Sequence, residues 1–123
     1  WKWEDTFIAG LSMGGFGALR NGIVYSETFS YVAGLSAAVH IFEDTSEEAN
    51  NGWFDNKEAA SGTNKNPWVA VEEMLSGQRR IPKIYMACGT KDDLMQANAL
   101  STLKCSLTLS PAARISSVAY PCC

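Results

Sequence analysis

An apolar run, Thr6-Phe7-Ile8-Ala9, breaks into Gly10-Leu11-Ser12-Met13-Gly14 and then into the small residues Gly15, Gly17 and Ala18. Gly-x-Ser-x-Gly behind an apolar run calls for a strand that turns sharply and leaves as a helix. At such a turn the serine is held in a strained backbone conformation with its hydroxyl clear of the sheet. The flanking positions must be small, because strand and helix pass within contact distance. Phe16, Leu19 and Ile23 then fall on one helical face. A five-residue match is weak by itself, and an inert glycine-rich turn is the plain alternative. Strand, turn and helix here agree, so we expect Ser12 to be an exposed nucleophile on a nucleophile elbow.

The 123 residues are 46% hydrophobic and 19% charged, with a net charge of −3. That is the profile of one globular α/β-sized domain. No run approaches the ~18 apolar residues of a membrane span. Lys and Arg form no cluster beyond Arg79-Arg80, which argues against a nucleic-acid partner. Cys88, Cys105, Cys122 and Cys123 follow no metal-ligand spacing, so no metal site is expected. Cys88 reads as a small buried hydrophobe at a strand end.

Two further strands are predicted at Tyr31–Ser36 and Lys83–Cys88, both nearly continuous in apolar character as parallel strands are. Helices are expected over about Gly14–Tyr25 and Asn66–Leu75, the latter with Pro67 in its first turn and Gly77 as its stop. Strands alternating with helices imply an α/β fold with a parallel sheet and crossover helices. The polar, acidic stretch from His40 to Lys65, with Trp53 and Phe54 embedded, reads as a solvated connection with a short helix packed by those aromatics. A flap over a pocket is the less favoured reading.

A serine nucleophile needs a base for its proton and a carboxylate to orient that base, in the chain order Ser, acid, His. The acid belongs just past a later strand. Cys88-Gly89-Thr90-Lys91-Asp92-Asp93 meets that requirement at the sheet edge that carries Ser12. Asp92 is the expected acid; its plainer role is a helix N-cap before Leu94–Leu100, and Asp93 stands ready to share the two duties. No histidine follows Asp92. The single histidine, His40, closes the strand after Ser12; it reads as a local hydrogen-bonding residue, and as a base only against the usual order. The N–H of Met13, at a helix N-terminus, is the expected oxyanion-hole donor.

The stretch Phe7-Ile8-Ala9-Gly10-Leu11-Ser12-Met13-Gly14-Gly15-Phe16-Gly17-Ala18-Leu19-Arg20 resembles the elbow of the putative-esterase family of α/β-hydrolases. Tyr85-Met86-Ala87-Cys88-Gly89-Thr90-Lys91-Asp92 resembles that family's acid-bearing strand end, and the resemblance runs from about Thr6 to Leu100. It implies a carboxylic-ester hydrolase that works without a cofactor on small-molecule or carbohydrate esters, closest in character to short-chain acyl esterases that deacetylate sugars. S-formylglutathione hydrolysis would use the same residues. The family's histidine sits in a Gly-His context on a loop after one further strand, and nothing here matches it.

These departures lead to further expectations. The chain is read as a fragment spanning residues 1–123 of an α/β-hydrolase domain, a partial fold without the earlier strands and the histidine loop. Residues 1–100 are family-like. Ser101–Cys123, rich in Ser, Ala and Cys and without glycine, is read as an atypical tail that shows no helix-and-strand character. A shifted reading frame or artificial junction near Leu100 would explain the change. A truncated sheet would leave an edge and an apolar face open to aggregation or to pairing with another chain. A catalytically silent, hydrolase-like module is the competing reading.

Overall fold

A computed structural model describes residues 2–42, 56–109 and 115–120. A short 3-10 turn, Trp3–Asp5, leads into β1 (Phe7–Leu11), α1 (Met13–Val24) and β2 (Tyr31–Leu35). After the connection come α2 (Lys57–Ser61), α3 (Pro67–Ser76), β3 (Lys83–Gly89), α4 (Met95–Leu109) and β4 (Ile115–Tyr120). The strands form one parallel sheet in the order β1-β2-β3-β4.

The expected strands and helices fall within a few residues of these bounds, and the punctuation explains why. The Asn66 side chain accepts a hydrogen bond from Trp68 N–H at the start of α3, Pro67 takes the first turn, and the Gly77 N–H closes the helix onto Glu73 O at 2.9 Å. In α2, Asn56 caps in the same way, accepting from Ala59 N–H at 2.9 Å. This is the short helix expected in the polar connection; Trp53 and Phe54, with the flap reading placed on them, lie outside the described residues.

The largest difference from expectation is at the C-terminal end. Composition after Leu100 gives no sign of regular structure, yet α4 runs unbroken through Leu100 to Leu109 and β4 follows, pairing with β3 from Ile84↔Ile115 to Gly89↔Tyr120. The helix was hidden because its buried positions, Asn98, Ser101 and Cys105, are polar or small. They repeat at helical spacing, but hydrophobic periodicity does not register them.

Helices α1, α3 and α4 pack in one layer. Leu19 and Ile23 of α1 and Ala70, Val71 and Met74 of α3 enclose Val32, Ile84 and Met86 of the sheet in the main core. From α4, Thr102 Oγ1 donates to Met86 Sδ at 3.4 Å. Burying the larger of these side chains contributes roughly 1.5–3 kcal/mol each. Close helix–sheet contact is set by glycine. A Cβ on Gly22 would fall onto the Val32 side chain, and one on Gly10 onto the Gly14 carbonyl. Of the small positions around Ser12, the crowded ones are Gly10 and Gly15, where an added Cβ would lie 3.0 Å from Ala37 Cβ in the latter case; a Cβ on Gly14 or Gly17 would meet open space.

Candidate active site

Ser12 stands between β1 and α1 with φ 54° and ψ −116°, a backbone state that L-residues seldom take. Three hydrogen bonds fix it there. Its N–H donates to Leu35 O at 2.9 Å, and its carbonyl accepts from Phe16 N–H at 3.1 Å and Ala38 N–H at 3.2 Å. The turn is thus clamped by its own helix on one side and by the end of β2 on the other. Ser12 is exposed, and so is Met13 beside it. Met13 N–H is the first amide of α1, a group with no acceptor inside the helix and one that the helix dipole makes more positive.

Asp92 lies in the turn that leaves β3, its N–H donating to Gly89 O at 3.1 Å. Oδ1 accepts from Leu94 N–H at 2.9 Å, an Asx turn just ahead of α4, which begins at Met95. That bond, followed by the Ser36 hydroxyl and the Cys88 thiol, holds the carboxyl below its ordinary value of 3.8, with partial burial opposing them. Burial in turn pushes the Cys88 thiol up, so it stays neutral beside the carboxylate. Asp93 is exposed.

Ser12 and Asp92 therefore sit at the same edge of the sheet, separated by β2. At the ordinary strand spacing this is a displacement of about 10 Å, enough for an imidazole between them. His40 lies in a different setting. It borders a groove with Val39, Trp68, Ala97, Leu100, Ser101 and Lys104, among the residues of α3 and α4. Among the described residues no group of three His, Cys, Asp or Glu side chains could hold a metal ion, and no helix is long and apolar enough to cross a membrane.

Two residues of this edge escape sequence reasoning. Asn98 of α4, 3% exposed, accepts from Ala37 N–H at 3.2 Å through Oδ1 and donates through Nδ2 to Ala37 O at 2.9 Å. Ser36 has φ 43° and donates its N–H to Ala87 O at 2.7 Å. The available signals were a polar residue closing an apolar strand and an asparagine inside a helix, both too common to single out.

Residues 2–117 match the sequence profile of the family described as Putative esterase. The chain belongs to that esterase family. An acetyl esterase from Caldicellulosiruptor saccharolyticus is 38% identical over 108 residues, which cover 79% of this chain and 41% of that protein. Among solved structures, the S-formylglutathione hydrolase FrmB of Staphylococcus aureus superposes with a TM-score of 0.78 at 24% identity, over 97% of this chain and 48% of that one. The S. aureus fluorophosphonate-binding serine hydrolase FphF gives 0.70 at 26% identity, with the same two coverages. The fold is that of the α/β-hydrolases in part, and the esterase chain described here spans about half the length of these relatives.

Proposed function

We propose that this esterase-family chain carries the nucleophile and the acid of a carboxylic-ester hydrolase for short acyl groups, with acetylated small molecules or carbohydrates as the substrate class. The observation that carries the reading is the positive-φ turn of Ser12, bonded to both its helix and β2. Such strain persists only where the surroundings over-determine it, and it presents the hydroxyl at a helix N-terminus. The acetyl ester preference follows the acetyl esterase relative.

In this reading Ser12 Oγ attacks the ester carbonyl while a histidine takes its proton. The carbonyl π electrons move to oxygen, and Met13 N–H donates to the oxyanion that forms. Collapse breaks the carbon–oxygen bond to the alcohol, which leaves with the proton from the imidazolium. Water, deprotonated by the same histidine, then releases the acid and restores Ser12. Asp92 holds the imidazole in the productive tautomer and stays ionised, as its lowered pKa requires. No cofactor enters these steps.

A second reading is favoured by the absence of any histidine after Asp92 in the sequence: nucleophile and acid are present without a base, and the chain alone is silent. Labelling with a fluorophosphonate probe separates the two. The serine hydroxyl displaces fluoride from phosphorus only if a base takes its proton. Labelling of the parent chain that vanishes in Ser12→Ala supports the first reading, with His40 or a base from another chain then identified by His40→Ala. An unlabelled parent chain leaves the second.

A further inference from the structure

At the end of β2 the ladder closes on both sides: Ser12 N–H donates to Leu35 O at 2.9 Å, and Ser36 N–H donates to Ala87 O at 2.7 Å. Ala37 follows, fully buried, so its N–H and C=O need partners inside the protein. Asn98 of α4 supplies them. Its Oδ1 accepts from Ala37 N–H at 3.2 Å, and its Nδ2 donates to Ala37 O at 2.9 Å. A carboxamide carries the donor and acceptor of a peptide group, so Asn98 acts as one more rung, inserted from the helix layer. The second Nδ2 hydrogen goes to Leu94 O at 2.9 Å. Two carbonyls and one N–H around the side chain fix its orientation, since a reversed amide would set oxygen against both carbonyls.

Each end of this bridge leads to a residue of the candidate site. Ala37 C=O and Ala38 N–H belong to one planar trans peptide, so anchoring the oxygen aims the N–H the other way. There it donates to Ser12 O at 3.2 Å. Val39 N–H also reaches Ala37 O, at 2.8 Å, but that bond moves with the segment and fixes nothing against α4. At the other end, Leu94 N–H donates to Asp92 Oδ1 at 2.9 Å. We propose that Asn98 is a positioning residue for Ser12: its carboxamide holds the Ala37–Ala38 peptide against the serine turn and ties it to the turn that carries Asp92. The inference rests on the reading of Ser12 as nucleophile and Asp92 as acid, and it names a residue that the serine, acid and base logic does not require.

The test reads the bonds themselves in the intact chain, through the NMR couplings that cross a hydrogen bond from donor nitrogen to acceptor carbonyl carbon. In the parent, the Ala37 nitrogen should couple to the Asn98 side-chain carbon, and the Ala38 nitrogen to the Ser12 carbonyl carbon. Absence of either overturns the proposal and needs no variant. Asn98→Leu and Asn98→Ala then remove the carboxamide, with and without its bulk, while Cys105→Ala loosens the buried side of α4 about two turns further on. The expected result is loss of the Ala38–Ser12 coupling in a folded Asn98 variant, with the Ser12–Leu35 coupling kept, and retention of both in Cys105→Ala. An Ala38–Ser12 coupling that survives removal of the carboxamide overturns the proposal. So does its loss in Cys105→Ala, since any loosening of the helix would then suffice. Fluorophosphonate labelling of Ser12 is read separately. Where the parent labels, Asn98→Ala should slow the reaction by about tenfold or more and Cys105→Ala by less than about twofold; equal slowing overturns the proposal. A coupling lost in the Asn98 variants of a chain whose Ser12 never labels supports the positioning role and sinks the hydrolase reading instead.

Discussion

On one face of the sheet Val32, Ile84 and Met86 are 1–2% exposed beneath α1, α3 and α4, whereas on the other Phe7, Leu11 and Tyr31 are 71%, 66% and 45% exposed. The sequence of the strands treats the faces alike, since both carry apolar residues in alternation along β1 and β2. What separates them is the order of the strands. Parallel strands laid down one after another in a single direction, with crossovers of one hand, send every connecting helix to the same side. An all-parallel sheet is normally covered on both sides. The residues of the candidate site are held from the helix-bearing side, through Asn98, Gly15 and the start of α1.

The sharpest way to break this contrast is to damage the packed face. Met74→Ala, at a side chain with no exposure, should lower stability by about 2–5 kcal/mol in urea denaturation. A much smaller loss would mean that α3 settles into the space. Gly22→Ala should cost about 1–3 kcal/mol, since the new methyl meets Val32. Its diagnostic is a compensating Val32→Ala that recovers part of the loss. On the bare face, Phe7→Lys with Leu11→Lys should change stability by no more than about 0.5 kcal/mol each. Sedimentation should show reduced self-association; equal association by parent and variant would acquit this face of stickiness.

Smaller effects follow from titration. The folded-state pKa of Asp92 is depressed, so its contribution is present above the ordinary value of 3.8 and lost as pH falls through the folded value. Asp92→Asn should flatten this acid limb in thermal melts. Burial raises the Cys105 thiol from 9.0 to about 11, which has the opposite sense for pH: stability is present below 9.0 and declines between 9.0 and 11. Cys105→Ala should remove that decline. A slope that survives the substitution would assign it to other groups.

Glycine and proline punctuation made β1, β2, β3, α1 and α3 readable from the sequence, because each marks a place where backbone geometry leaves few choices. The strand-to-helix turn at Ser12 was readable for the same reason. The requirement for small residues was placed correctly at Gly10 but not at Gly14, where the crowding falls one residue later, on Gly15. Which glycine meets a neighbour depends on the pitch of α1 against β2, a tertiary quantity. The full length of α4 and the existence of β4 stayed hidden, because Asn98 and Ser101 are buried through hydrogen bonding and small size and carry no hydrophobic signal. Ser36 and Asn98 share that fault: what marks them is a dihedral angle and a pair of hydrogen bonds to the Ala37 backbone, and neither is written in residue type.

The strand order also bears on how the molecule is made. Among the described strands, β2, β3 and β4 each pair with the strand that immediately precedes them in the chain, so none of these three waits for a later segment to emerge. β1, α1 and β2 can close as a unit during synthesis and template β3, which templates β4 in turn. Among the described strands the longest connection lies between β2 and β3, so closing that pair carries the largest loop-entropy cost in the sheet.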